Sequence, residues 1–341
     1  MNRIKFFIAI IIFFVIAISL LMGYGYYLNL PVQSQNNNHI LVIVNSGDSA
    51  FKVSQKLYEN NLIRSPLLFR ILTKINNSAS LLKQGGYLLS PAMSTYEIYK
   101  IILKGENAIV KVTIPEGWTS TRIAELLDKK RLIDSERFLS LITNKKFIKS
   151  LGLSSDSLEG YLFPDTYFFS YGQSGEEIIT KIIDNFFKKV GTLISHEDIM
   201  SKDFYEKLIL ASIVEREYRL PEEAPLIASV FFNRLERRIP LESCATIDYV
   251  LTEERGEKNK LELTYDDLKV ESPFNTYKYY GLPPAPISNP GLIAIKAVLY
   301  PPKTDFLYFV LKDPAKGKHY FSKTFEEHVR AKFLYLKPYK N

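Results

Sequence analysis

The sequence is poor in cysteine and histidine. Its one thiol, Cys244, has no partner for an internal disulfide and is expected to be a small buried residue. Four histidines, His39, His196, His319 and His328, are dispersed along the 341 residues without the spacing of metal ligands. The composition therefore predicts no disulfide framework, no metal site and no cofactor.

Charge is absent from the beginning of the chain. No charged residue lies between Lys5 and Asp48. Residues 6–28 form an apolar segment long enough to cross a membrane. A cleaved signal peptide is the alternative, but the segment exceeds an ordinary signal core and no Ala-x-Ala-like site follows it. We therefore predict a retained single-pass anchor.

The charges before this segment predict its orientation. Arg3 and Lys5 lie in a short stub, residues 1–5, which the positive-inside rule leaves in the cytoplasm. The remainder of the chain is then extracytoplasmic. Residues 29–38 are uncharged and rich in Asn and Gln, as in a linker. The net charge of +7 arises from lysines without a basic block, which gives no support for nucleic acid binding.

An internal repeat follows the linker. The segment "VNSGDSAFKVSQKLYENNLIRSPLLF" at 44–69 matches "IPEGWTSTRIAELLDKKRLIDSERFL" at 114–139 without a gap. Each copy predicts a short strand, a Gly turn, an amphipathic helix and a second helix opened by a Ser cap. This pattern resembles a LysM-like module, a fold associated with N-acetylglucosamine polymers. A plain structural α/β unit is the alternative for either copy.

Two further helices are predicted at about 203–219 and 222–238, separated by Pro221, which ends the first and suits the opening turn of the second. The chain that follows is rich in loops, and "FLYFVLK" then predicts a strand. The first helix carries Glu215 and Glu217 after an apolar run. Because they lie roughly 200° apart on the helix, only one of them can face a given cleft.

These two carboxyls admit two interpretations. In the first, both are ordinary solvated residues at a helix end. In the second, one of them is partly desolvated beside a groove, which raises its pKa and makes it a general acid. The break at Pro221 and the small apolar residues before Glu215 favour the second.

At this point the chain resembles the MltG/YceG-like family of endolytic murein transglycosylases. The resemblance runs in order from about residue 40 to 330. It is carried by "LEGYLFPDTY", "LASIVEREY", "IASVFFNRLERRIPLESCATIDYVL", "NTYKYYGLPPAPISNPGLIAIKAVLYPP", "FLYFV" and "HYFSKTFEEH". It implies an α+β protein with three parts: a transmembrane helix, LysM-like modules at 39–105 and 110–145, and a catalytic domain over 106–335 with a lysozyme-like catalytic helix.

The resemblance also implies a reaction and a place. The reaction is cleavage of the β-1,4 bond between N-acetylmuramic acid and N-acetylglucosamine inside peptidoglycan glycan strands, leaving a 1,6-anhydro end. The place is the bacterial cytoplasmic membrane, with the catalytic domain outside, termination of growing strands as its role and peptidoglycan synthases as partners.

Particular residues take roles from this resemblance. Glu217 is the favoured acid and base, with Glu215 as the alternative or as a supporting residue. The expected substrate contacts are Asn233, Arg234, Thr246, Tyr249, Asn275, Thr276 and Tyr277, followed by a rigid wall at 280–284 that includes Gly281 and Pro283. Each of these has a plain packing role as its alternative.

The chain departs from the family pattern at two positions beside the expected groove. Cys244 stands where an aspartate is usual, and Val329 stands where an asparagine is usual. A weakened enzyme that binds glycan as a scaffold is therefore the competing interpretation. A muramidase that adds water is a third, which the lack of an identifiable second acid disfavours.

Overall fold

A computed structural model describes residues 2–257 and 263–336. The chain divides into two compact units. The first comprises Met1–Val110 with Phe168–Gln173, and the second comprises Lys111–Tyr167 with Ser174–Asn341. The predicted α+β class is confirmed, because helices and three two-stranded sheets occur together in the described residues.

The first unit is built on one antiparallel strand pair covered by helices. In chain order its elements are α1 (Asn2–Asn29), β1 (Ile40–Val44), α2 (Ala50–Glu59), α3 (Pro66–Ile75), a 3-10 turn (Ala79–Leu81), β2 (Gly85–Leu89) and α4 (Thr95–Lys104). The strands pair from Ile40 opposite Leu89 to Val44 opposite Gly85. Their inner face packs on the helices in a core that includes Leu57, Phe69 and Tyr87.

Helix α1 is the apolar segment at the start of the chain. Residues Ile4–Asn29 form a helix of 26 residues with a mean hydropathy of 3.0, long and apolar enough to cross a membrane. Its side chains from Ile4 to Tyr24 are exposed, so they take no part in a protein core. This agrees with a membrane anchor by length and composition.

Residues 29–38, predicted to be a linker, make hydrogen bonds with other residues of the first unit. The Arg64 guanidinium donates to the carbonyl oxygens of Leu30 and Pro31, at 3.2 and 2.7 Å. It also lies over the Tyr27 ring at 4.9 Å. The Ser90 hydroxyl donates to the Asn36 carbonyl oxygen at 2.8 Å. Composition does not indicate these hydrogen bonds, because their partners lie far away in the chain.

The second unit is mostly helical. Its elements are most of β3 (Ile109–Thr113), α5 (Ser120–Lys129), α6 (Ser135–Ile142), α7 (Lys145–Ser150), part of β4 (Thr166–Ser170), α8 (Gly175–Val190), α9 (His196–Ile199), α10 (Lys202–Glu217), a 3-10 turn (Pro221–Glu223), α11 (Ala224–Glu236), α12 (Cys244–Tyr249), a π-helical turn (Val250–Glu254), a 3-10 turn (Asp267–Lys269), α13 (Leu292–Leu299), β5 (Tyr308–Asp313), β6 (Lys318–Ser322) and α14 (Phe325–Leu336). Strands β3 and β4 pair, as do β5 and β6. Strand β6 was not anticipated from the sequence.

The two copies of the repeat adopt the same local structure. Both contain strand, helix, helix and a pairing strand, and α5 begins and ends 70 residues after α2. Ser49 and Thr119 cap these helices through hydroxyl groups that accept from Lys52 N–H and Arg122 N–H. The predicted strand, turn and two helices are therefore confirmed in both copies. The predicted Ser cap of the second helix was wrong, since Ser65 makes no side-chain capping hydrogen bond and Asp134 caps α6. Sugar binding by the repeat stays a prediction.

Candidate active site

The site is organised by α10. Its hydroxyl cap, Ser201, accepts from the Phe204 N–H at 3.1 Å. Every residue from Leu208 to Val214 is buried, so the helix is fixed along its length. It ends at Glu217 because Tyr218 is extended and Pro221 opens the next turn. The last turn of a helix carries exposed carbonyl dipoles, which disfavour the charged form of a carboxyl there.

Glu217 faces one side of this helix end and is partly buried. The Ser243 hydroxyl donates to its Oε1 at 2.5 Å. Burial raises the pKa of Glu217, and the Ser243 hydrogen bond and the positive charge of Arg216 partly oppose that rise. A carboxyl that keeps its proton at a pH where a glutamic acid is ordinarily ionised is suited to general acid catalysis.

Glu217 lies at a polar cavity of about 400 Å³ within the second unit. Six parts of the chain supply the walls: α10, α11, the start of α12 with the segment that enters it, the loop that carries Tyr277, β5 with the residue before it, and α14. The lining residues are Glu217, Phe231, Arg234, Leu241, Glu242, Ser243, Cys244, Tyr277, Leu307, Tyr308, Phe309, Val310, Phe325, His328, Val329 and Lys332. Aromatic rings together with charged and hydroxyl groups are the components of a sugar-binding groove.

Glu215 faces a different environment and does not line this cavity. Its Oε2 accepts from the Gly291 N–H at 2.9 Å, and its Oε1 accepts from the Tyr218 hydroxyl at 3.3 Å. Burial raises the pKa of Glu215 to about 7, and the neighbouring Glu116 adds to the rise. Its contacts fix the loop after residue 286 to α10, which gives it a structural role.

Two predicted contact residues line the cavity, Arg234 and Tyr277. The Arg234 side chain is 7% exposed and forms an ion pair of 3.0 Å with Glu242. It also donates to the Leu307 carbonyl oxygen at 2.7 Å. Asn233 is not among the lining residues, and its amide donates to the carbonyl oxygens of Thr304 and Phe306.

Three other predicted contacts are buried and already hydrogen-bonded. Asn275 is fully buried, and its amide donates to the carbonyl oxygens of Leu268 and Val270. The Thr246 and Thr276 hydroxyls lie 2.9 Å apart, with neither side chain exposed by more than 2%. These three residues do not line the cavity, and their hydrogen bonds hold the chain segments beside it in place.

The remaining predicted contacts lie outside the cavity. The Tyr249 ring packs on Phe274 with centroids 4.9 Å apart. Gly281 has a φ of +91°, which a residue with a side chain rarely adopts, and Pro283 is buried. Leu282 and Pro284 line a separate open depression.

The two departures from the family pattern both line the cavity. Cys244, expected to be buried, is exposed, and its Sγ lies 3.1 Å from the Tyr277 hydroxyl oxygen. The expectation was wrong because Cys244 opens α12 at the cavity rather than packing in a core. Burial of the thiol group nevertheless raises its pKa. Val329 is 47% exposed.

Sequence reasoning did not assign Ser243, Tyr308, His328 and Lys332 to the site. The His328 ring stacks on Tyr308 with centroids 5.2 Å apart. Burial lowers the pKa of His328, and the positive charges of Lys332 and Arg234 lower it further. One signal was available for Ser243, since serine is among the residue types preferred at helix N-caps.

A second buried carboxyl, Glu159 in "LEGYLFPDTY", does not line the cavity but hydrogen-bonds segments that lie near the end of α10. It accepts from the Ser120 N–H at 3.0 Å and from the Asn289 amide at 2.7 Å. The Asn289 Oδ1 in turn accepts from the N–H groups of Gly160 and Leu162. This network joins the start of α5 to the loop that Glu215 holds through Gly291. Burial raises the pKa of Glu159 to about 7.

The fold and the site define an α+β protein in which the carboxyl at the end of a buried helix opens on a polar cavity, an arrangement suited to acid and base chemistry. The model of the YceG-like family matches residues 42–333. The chain therefore belongs to the YceG-like family.

Characterised relatives agree with this assignment. An endolytic murein transglycosylase of Bacillus subtilis is 33% identical over 92% of this chain and 89% of its own length. One from Streptococcus pneumoniae is 31% identical over 94% of this chain and 64% of its own length, so the chain spans less than two thirds of that relative. A crystal structure of a yceG-like protein from Listeria monocytogenes has 35% identity and a TM-score of 0.57, covering 86% of this chain and 98% of that one.

Proposed function

We propose that the protein is a lytic transglycosylase that cleaves the bond between N-acetylmuramic acid and N-acetylglucosamine within peptidoglycan strands. The observation that carries this proposal is the position of Glu217, at a polar cavity and with a pKa raised by burial. The names of the relatives from Bacillus and Streptococcus supply the substrate.

In the proposed mechanism Glu217 acts twice. As an acid it gives its proton to the bridging oxygen, and the bond from that oxygen to C1 of the muramic sugar breaks. As a carboxylate it then removes the proton of the C6 hydroxyl of the same sugar while the C6 oxygen bonds to C1. The proton returns to Glu217, no water is consumed, and the product end is 1,6-anhydro.

Hydrolysis is the competing reaction, and one observation favours it: a second carboxyl, Glu242, lines the same cavity. However, Glu242 is paired with Arg234. A carboxylate oxygen that is engaged by a guanidinium is less available to orient a water for attack, which supports the transglycosylase reaction.

The product decides between the two reactions. Purified glycan strands incubated with the full-length protein in detergent should yield fragments whose new ends lack one water compared with hydrolysed ends, as read by mass spectrometry. Fragments with hydrated ends would replace the proposal with a muramidase. No cleavage by the folded protein would favour a glycan-binding scaffold.

The proposal includes the position of the enzyme. Helix α1 is the single-pass anchor in the cytoplasmic membrane, with residues 1–5 inside and the catalytic domain outside. The sole cysteine offers a test, since Cys244 is exposed. A membrane-impermeant thiol reagent should label it in spheroplasts without lysis, and Cys244→Ser gives the blank. Labelling only after lysis would reverse the orientation.

The repeat modules and the partners complete the proposal. The two repeat copies are glycan-binding modules that feed strands to the cavity, and cleavage of nascent strands ends their elongation beside peptidoglycan synthases. Support comes from the shared local structure of the two copies and from the anchor, which would keep the enzyme where strands are made.

A further inference from the structure

The Ser243 hydroxyl joins the start of α12 to Glu217. Ser243 caps α12, and its Oγ accepts from the Ala245 N–H at 3.2 Å. The same oxygen lies 2.5 Å from Oε1 of Glu217. A hydroxyl has one hydrogen to donate. Because the Ala245 amide supplies its own hydrogen, the hydrogen of Ser243 is directed at Glu217.

The backbone of Ser243 is fixed on both sides. Its N–H donates to the Thr276 hydroxyl at 3.1 Å, and its carbonyl oxygen accepts from the Thr246 hydroxyl at 2.8 Å. Both threonines are buried and contact each other through their hydroxyls. The two residues that the sequence marked as sugar contacts therefore hold Ser243 in place.

A second contact prevents α12 from moving away. Asp248, near the end of α12, forms an ion pair with Arg216, the residue before Glu217. The last turn of α10 therefore contacts α12 twice, through Ser243 at the start of α12 and through Asp248 near its end. Ser243, itself only 3% exposed, cannot drift relative to the carboxyl that it contacts.

We infer that Ser243 is a positioning residue that decides which oxygen of Glu217 carries the transferred proton. This inference rests on the proposed function. While Ser243 donates to Oε1, a proton on the same oxygen would place two hydrogens face to face, so this hydrogen bond favours the form of Glu217 that is protonated on the other oxygen. The acidic proton therefore belongs on Oε2. In the carboxylate form Ser243 still donates to Oε1, so Oε2 is also the oxygen that takes the C6 hydroxyl proton.

The same contact tunes the acidity of Glu217. A hydroxyl that donates to a carboxyl stabilises the charged form more than the neutral form, which lowers the pKa. Burial acts in the opposite direction and dominates. The other charged or titratable groups that act on Glu217 or line its cavity are Arg216, Arg234, Glu242, Cys244, Tyr277, Tyr308, His319, His328 and Lys332. None of these is altered by a substitution at Ser243.

The test is the dependence of kcat/KM on pH for the full-length protein acting on glycan strands. Ser243→Ala should move the alkaline limb upward by about one pH unit, because Glu217 keeps its proton longer. The same variant should lower kcat about tenfold, because Oε2 is no longer favoured. Ser243→Thr keeps the hydroxyl and should retain the wild-type limb.

Two further variants separate positioning from folding. Ser174→Ala removes a hydroxyl cap from α8, away from the cavity lining, and should leave the pH profile unchanged. Ser243→Gly deletes the hydroxyl but keeps a residue that helix N-caps tolerate, so it replaces Ser243→Ala if that variant does not fold. A folded Ser243→Ala or Ser243→Gly protein with the wild-type alkaline limb would overturn the inference.

Glu217→Gln distinguishes this failure from failure of the proposed function. If Glu217→Gln keeps its activity, Glu217 is not the acid and the proposed mechanism fails with the inference. If Glu217→Gln is inactive while the limb of Ser243→Ala does not move, the mechanism stands and only the role of Ser243 is wrong.

Discussion

Glu215 and Glu217 are the same residue type, two positions apart on one helix, yet they occupy opposite environments. Glu217 faces the cavity and receives a side-chain hydroxyl. Glu215 receives a backbone N–H from the loop and lies beside a second carboxyl, Glu116. Burial raises the pKa of both. A raised pKa therefore does not identify a catalytic acid, and access to a cavity with room for substrate separates the two.

The largest expected effect is on the rate of strand cleavage. Glu217→Gln should lower kcat about 1000-fold or more, because the amide cannot transfer a proton. Glu215→Gln should lower it less than tenfold, because the amide oxygen can still accept the Gly291 N–H. Release of anhydro ends, measured for both variants at matched folded concentration, checks the difference. The reverse order of activity would exchange the roles of the two residues.

The next largest effect is expected from modifying Cys244, whose thiol lies in the cavity that Glu217 lines and Glu215 does not. Alkylation of Cys244 with a bulky maleimide should lower activity about tenfold to 100-fold, because the adduct fills part of a cavity of about 400 Å³. The raised pKa of the thiol predicts that labelling accelerates as the pH rises above the ordinary range for cysteine. Cys244→Ser, treated in the same way, should keep its activity. Full activity of the labelled protein would place substrate elsewhere.

The smallest effect is on stability and concerns Glu215. Its pKa is about 7 in the fold and about 4.5 ordinarily, so the fold holds a proton that the unfolded chain loses between these values. Stability should therefore fall as the pH rises from about 4.5 to about 7 and then level off. In Glu215→Gln the free energy of unfolding should fall by about 1 to 3 kcal/mol less over this pH range than in the wild type.

Denaturant unfolding at pH 5 and pH 8 measures this effect. The wild type should lose more stability between the two values than Glu215→Gln does, and other titrating groups cancel in the comparison. Glu116→Gln is a useful companion, because removing its charge should lower the pKa of Glu215 and reduce the loss only in part. Equal losses in the wild type and Glu215→Gln would mean that Glu215 titrates normally.

Local patterns predicted the local structure of this protein well. The break at Pro221 placed the end of α10 within two residues, and the gapless repeat predicted that α5 would follow α2 at the same spacing. Helical geometry alone also separated the directions of Glu215 and Glu217. These features depend on residues a few positions apart, so a sequence contains them directly.

The partners of the site residues could not be predicted in this way. Ser243 is 26 residues from Glu217, and Asn289 is 130 residues from Glu159. Such pairs form only when the whole unit has folded, and a serine or asparagine in a loop has many alternatives. The buried positions of Thr246, Asn275 and Thr276 have the same origin, since a polar loop residue is normally exposed and these are enclosed by packing.

The grip of Arg64 on the end of α1 has a mechanical consequence. The guanidinium donates to the carbonyl oxygens of Leu30 and Pro31, just after the last residue of the helix, and the Thr95 hydroxyl donates to that of Leu28 within it. If α1 spans the bilayer, these contacts leave no flexible spacer after it, and the first unit stands at the lipid surface. Tilting of the helix would then tilt this unit with it, which confines the unit to the layer nearest the membrane.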